Sequence, residues 1–162
     1  MGSLLRTLWK RTTLFSAALV VAVATFAPLV SAAPGDYTWE VANPADEMVP
    51  NTMNWHFITS SADGSKLAAV VNDGYIYTST DYGVTWTKRL SAGTRKWTSI
   101  DMSSDGVKMV ASYSDGVGHV YTSTDSGANW TERTSAGLYN WSSVASSNDG
   151  TTRTAAASNG YV

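Results

Sequence analysis

The chain has 162 residues, 11 basic and 13 acidic side chains and no cysteine. That excludes a disulfide framework, a thiolate nucleophile and any cysteine-based metal site, and the dispersed basic residues argue against a nucleic-acid footprint. Trp, Tyr, Thr, Ser and Gly are abundant while Leu and Glu are scarce, a balance that favours sheets with tight turns over helices.

In chain order, the first predicted segment is a leader. Arg6, Lys10 and Arg11 precede an uncharged, mostly apolar run from Leu14 to Val30, and Val30-Ser31-Ala32 supplies small residues for a signal peptidase. We therefore expect a signal peptide over residues 1–32 and a secreted or periplasmic mature chain that has left the membrane. The run reaches the lower edge of what spans a bilayer, so an uncleaved membrane anchor is the rival reading. Residues 33–54 form an N-terminal segment holding one extended stretch, Tyr37-Thr38-Trp39-Glu40-Val41. Nothing before it could complete a sheet, so it is expected to be a lone outer strand that closes a ring.

From residue 55 onward the sequence repeats. Trp55, Trp97 and Trp141 begin three units at intervals of 42 and 44 residues. Eight residues after each Trp comes Asp-Gly (Asp63-Gly64, Asp105-Gly106, Asp149-Gly150), and further on a second turn (Asp73-Gly74, Asp115-Gly116, Asn159-Gly160). The units span residues 55–96, 97–140 and 141–162, the last stopping where its third strand should start. The first unit offers four extended segments, Trp55–Ser60, Leu67–Asn72, Tyr75–Ser79 and Thr85–Arg89. The second is apolar on both faces, as a fully buried strand is. A period of roughly 40–45 residues with four short strands fits a propeller blade. The expected fold is all-β: an incomplete β-propeller of four-stranded antiparallel blades, with about two and a half blades present where a ring normally needs about four or more. The chain is thus expected to be a fragment of a longer protein.

The turn closing each unit is its most specific motif. Ser79-Thr80-Asp81-Tyr82-Gly83-Val84-Thr85-Trp86 returns as Ser123-Thr124-Asp125-Ser126-Gly127-Ala128-Asn129-Trp130. Both resemble the Asp-box, or bacterial neuraminidase repeat, Ser-x-Asp-x-Gly-x-Thr-Trp, with Asn129 in place of Thr. The resemblance covers Trp39 to Val162 and implies a sialidase-like propeller. The family includes sialidases, xyloglucan-active glycoside hydrolases, sortilin-type receptors and propellers that assist photosystem assembly. It implies structural roles for Ser79, Asp81, Gly83 and Trp86 and for Ser123, Asp125, Gly127 and Trp130, the carboxylates accepting turn N–H groups. Such a motif defines a fold without defining an activity.

Catalytic residues are unknown from the sequence. The sialidase chemistry that the resemblance suggests needs converging arginines, and the mature chain offers only Arg89, Arg95, Arg133 and Arg153, with no recognisable triad. A glycosidase needs two facing carboxylates, and Asp46, Glu47, Asp73 and Asp115 read better as solvated turn residues. His56 and His119 lack partners at metal-ligand spacing, so neither metal nor cofactor is expected. The units differ in the connections between them and in the second turn, where the second unit inserts two residues. These segments fall on one face, and variable loops on a rigid scaffold are where function sits. Arg95, Lys96, Asp115, His119 and Tyr139 are the ligand-face candidates. The expected function is a secreted module that binds a glycan or a protein. The alternatives are part of an extracellular glycoside hydrolase whose catalytic residues lie in further blades, and a photosystem-assembly-type propeller.

Overall fold

The computed structural model describes residues 53–158. The leader, the Tyr37–Val41 stretch and the Asn159-Gly160 turn with Tyr161-Val162 lie outside the described residues.

Ten strands run in chain order: β1 (Trp55–Ser60), β2 (Leu67–Gly74), β3 (Ile76–Ser79), β4 (Thr87–Arg89), β5 (Arg95–Met102), β6 (Met109–Tyr113), β7 (Val120–Ser123), β8 (Thr131–Arg133), β9 (Trp141–Ser146) and β10 (Arg153–Ala157). Each pairs antiparallel with the next inside its unit, giving the meanders β1-β2-β3-β4 and β5-β6-β7-β8 and the pair β9-β10. A single 3-10 turn, Leu90–Ala92 or Thr134–Ala136, leads from each outer strand to the next inner one. The inner strands β1, β5 and β9 lie against one another, so the units fan outward from their inner edge. This is the arrangement of consecutive β-propeller blades, as the repeat implies.

Alternation along each strand gives a unit two faces. The face toward the preceding unit is here called leading, and the face toward the following unit trailing. Between the first two units, Ala68, Val70 and Ile76 of the first meet Trp97, Ile100 and Trp130 of the second in one buried cluster. Between the second and third, Val110 and Val120 meet Trp141, Val144 and Ala157. A tryptophan at the head of each leading face, Trp97 or Trp141, sets against small or β-branched trailing side chains, so neighbouring sheets interlock. Burying Trp97 and Ile100 completely is worth about 1.5–3 kcal/mol for a side chain of that kind.

The seams also carry hydrogen bonds that repeat with the period. Ala62 N–H donates to Ser104 O and Ser104 N–H to Asn148 O, each at 2.8 Å. Lys66 Nζ donates to Asp105 O (2.8 Å) and Lys108 Nζ to Asp149 O (2.9 Å). Asp101 bridges three strands, accepting from Thr59 Oγ1 at 3.0 Å and from Ser146 N–H at 2.8 Å.

The turn carboxylates act locally. Asp81 Oδ1 accepts Thr85 N–H (2.9 Å) and Ser79 Oγ (2.7 Å), and its Oδ2 accepts Thr85 Oγ1 (2.6 Å). Asp125 repeats this with Asn129 N–H (2.9 Å), Asn129 Nδ2 (2.7 Å) and Ser123 Oγ (2.8 Å). The indoles of Trp86 and Trp130 donate to Gly83 O and Gly127 O. Because Thr85 and Trp86 serve the turn, β4 starts at Thr87, two residues later than the sequence pattern suggests. Arg89 on the outer strand packs inward rather than standing free in solvent. It is half-buried, its Nε donates to Thr78 Oγ1 at 2.7 Å, and burial pulls its pKa down against the opposing pull of Asp125.

Candidate functional site

In the first two units the second turn and the connection to the next unit meet at one end of the seam. Asn72 pairs with Lys96 and Gly74 with Arg95, which ties the end of β2 to the start of β5. The indole of Trp97 donates to Gly74 O at 3.1 Å and locks the junction. Asp73, held in the left-handed region at φ 59°, stands at its apex. The result is a cleft of about 240 Å³ lined by Asp73, Thr94, Arg95, Lys96, Tyr113 and Asp115.

Three of the five sequence candidates, Arg95, Lys96 and Asp115, line this cleft together. Lys96 Nζ meets Asp115 Oδ1 at 2.6 Å in an exposed ion pair. That hydrogen bond and charge, with Asp73 nearby, raise the lysine pKa. The Arg95 guanidinium carbon lies 4.8 Å from the Tyr113 ring centroid and 4.9 Å from that of Tyr121, within cation–π range of both. Its Nε is buried with no hydrogen-bond partner. Trp97 meets Tyr121 edge-on at 5.4 Å, and Tyr113 at 6.0 Å, so the arginine rests on a packed aromatic base.

His119 and Tyr139 lie beside the cleft without lining it. His119 Nδ1 contacts Glu132 Oε1 at 2.5 Å. That contact, with a further hydrogen bond from Tyr121, holds the Glu132 carboxyl below its usual range. Burial, with the bond to Glu132 adding to it, pushes the Tyr121 phenol up to about 12. Tyr139 exchanges backbone hydrogen bonds with Gly118 and meets Trp141 edge-on at 5.2 Å. Gly118 belongs to the two-residue insertion, and a Cβ there would fall 2.1 Å from Tyr113 O. The insertion is held against Tyr113 and Tyr139 while Val117 (54 % exposed) and Leu138 (56 %) stand on the surface.

Sequence reasoning missed Tyr113 as a cleft wall. Its repeat positions hold Val71 and Ala157, so the aligned units do carry the signal: one aromatic where the others are aliphatic. Glu132 was likewise legible only as a pair. In the first unit Lys88 lies 4.1 Å over the Tyr75 ring, and the second unit places Glu132 and His119 at the same two positions. Among the described residues no group of three or more His, Cys, Asp or Glu could hold a metal ion. No helix among them is long and apolar enough to cross a membrane.

Fold and repeat together define the class: an all-β chain of propeller blades. The chain matches no protein-family model, and no curated protein matches it in sequence. Among solved structures it is similar to the GH74 enzyme of Niastella koreensis, with 32% identity over 52% of this chain and 12% of that chain and a TM-score of 0.43. It is also similar to YCF48 from Cyanidioschyzon merolae (20% identity, 66% of this chain, 38% of that chain, TM-score 0.48). A structure of YCF48 bound to D1 peptide gives 14% identity over 66% of this chain and 42% of that chain, with a TM-score of 0.47. The chain spans less than half the length of each of these proteins.

Proposed function

We propose that the chain is part of an exported Asp-box propeller that binds a glycan in the cleft at the seam of its first two described units. The repeated carboxylate turns at Asp81 and Asp125 and the leader-like first 32 residues support the coarse reading. The observation that carries the ligand class is the cleft's charge balance: Asp73 and Asp115 face Arg95 and Lys96 beside the Tyr113 ring. A ligand of one charge would have to break the Lys96–Asp115 pair and face the group left over. Uncharged hydroxyl groups can donate to the carboxylates and accept from the cations at once, with Arg95 held in place on the Tyr113 ring.

The test is calorimetric titration of the full chain with a panel of neutral oligosaccharides. Arg95→Ala and Tyr113→Ala are each expected to weaken binding by tenfold or more, corresponding to about 1.4 kcal/mol. Val84→Lys, at an exposed turn away from the cleft, should bind as the parent does. Unchanged affinity in both cleft variants sinks this assignment. A protein ligand is the second reading, favoured by the exposure of Val117 and Leu138 beside Tyr139. Peptide binding lost on Leu138→Asp but kept in Arg95→Ala would select it.

A further inference from the structure

The second unit departs from the first at four positions that converge. Aligned on the repeat, Arg95, Tyr113, His119 and Glu132 stand where the first unit has Met53, Val71, Tyr75 and Lys88. Tyr121 is the shared member and answers to Tyr77. In the first unit Met53 and Tyr75 pack on Val71 and Tyr77, with Lys88 lying over the Tyr75 ring. In the second the same place holds a cation, the Arg95 guanidinium on the rings of Tyr113 and Tyr121. The first unit forms its four strands with none of these residues, so the repeat itself does not call for them.

Arg95 is held differently from the arginines of the outer strands. Arg89 and Arg133 each donate Nε to a threonine hydroxyl at 2.7 Å. Among the described residues no carboxylate forms an ion pair with Arg95, and its Nε is buried without a partner. Two rings alone would let the guanidinium slide, because cation–π attraction acts anywhere within about 6 Å of a ring centroid. Glu132 supplies the missing constraint. It lies opposite Tyr121 across the pairing of β7 with β8, and its carboxylate takes His119 Nδ1 at 2.5 Å and the Tyr121 phenol. A phenol that donates to a carboxylate carries more negative charge on its ring, which strengthens its hold on a cation lying over its face. Glu132 also acts on Arg95 through space: after the His119 and Tyr121 bonds, the arginine's charge is a further cause of the lowered Glu132 carboxyl.

We propose that Glu132, with His119 behind it, is a positioning residue of the cleft: through the Tyr121 phenol it fixes the Arg95 guanidinium on its two rings. The consequence for binding rests on the glycan reading of the cleft, whereas the placement of the arginine does not.

The first unit supplies the variant that tests this. His119→Tyr together with Glu132→Lys copies the Tyr75 and Lys88 pair that the fold already carries at these positions, so the blade is kept while the acid becomes a cation. In nuclear magnetic resonance of the full chain, the Arg95 Nε–H signal is assigned by its loss in Arg95→Ala. It is expected upfield of the Arg89 and Arg133 signals, since two rings shield it and no acceptor draws it downfield. In the paired variant it should move to the position of a solvated arginine. In calorimetry with the oligosaccharide that binds the parent most tightly, the pair should weaken binding about fivefold or more, and no further in an Arg95→Ala background. Glu132→Gln repeats both arms should the paired variant fail to fold. An Arg95 signal that stays in place overturns the proposal, and so does an equal loss of affinity with and without Arg95. If no oligosaccharide binds, or Arg95→Ala binds as the parent does, the glycan reading falls alone and the Arg95 signal decides this one.

Discussion

A carboxylate in a tight turn ends a strand here by collecting the N–H and O–H groups that the ladder leaves free. Ser61 Oγ donates to Asp63 at 2.6 Å, and Ser65 donates to the same carboxylate through its N–H and its hydroxyl. These bonds, Ser61 first, lower the Asp63 pKa from 3.8 to about 2. Asp149 falls to about 2 through Ser147 and Thr151, and Asp125 falls to about 2 through the Asn129 N–H, the Asn129 side chain and Ser123. Asp81 and Asp105 shift the same way. Each folded pKa lies below its unfolded value. The contribution is therefore fully present above about pH 4 and is lost as pH falls toward about 2. The urea midpoint should stay level from neutral pH to about pH 5 and then drop across that window. The triple variant Asp63→Asn, Asp125→Asn, Asp149→Asn should start lower and drop less. An equal drop in parent and variant would show that these turns do not set acid stability.

At the scale of the element, the turns and strands were legible because their causes are local. Asp-Gly at a fixed distance from each Trp brackets β1, β5 and β9, and the unbroken run of apolar or small residues in β2 and β6 follows from burial on both faces. Pairing between units was not legible. The tie of Asn72 to Lys96 and of Gly74 to Arg95 depends on how one sheet meets the next, which no single segment encodes. The inserted Val117-Gly118 shows the same limit: its length was visible, its docking against Tyr113 and Tyr139 was not. Gly118 is required by close approach, with its Cβ position 2.1 Å from Tyr113 O, whereas Gly116 is open around its Cβ and required by its φ of +84°. Gly118→Ala should cost about 1–3 kcal/mol by overpacking and speed amide exchange at Gly118 and Tyr139. Gly116→Asn should be nearly silent, since Asn accepts the left-handed region. Equal effects of the two on urea unfolding and exchange would contradict this distinction.

For the whole molecule, a repeat makes chemically equal residues energetically unequal according to what lies beside them. Trp55 and Trp97 occupy the same position, and the sequence gives no reason to rank them. The fold does: Trp97 is enclosed by a neighbouring unit and bonded to Gly74 O, while Trp55 is 42% exposed. The candidate cleft was only partly legible for the same reason. Its Asp73 comes from one unit and Arg95, Lys96, Tyr113 and Asp115 from the connection and the next, so the site exists only where two units meet. Trp97→Ala should therefore cost about 3–5 kcal/mol, the range for emptying a buried aromatic site, and should loosen the cleft with it. Trp55→Ala in dilute solution should cost much less and leave glycan affinity unchanged. Urea unfolding of the three proteins in dilute solution decides it. A loss for Trp55→Ala as large as that for Trp97→Ala would mean its face is already covered by the chain's own residues.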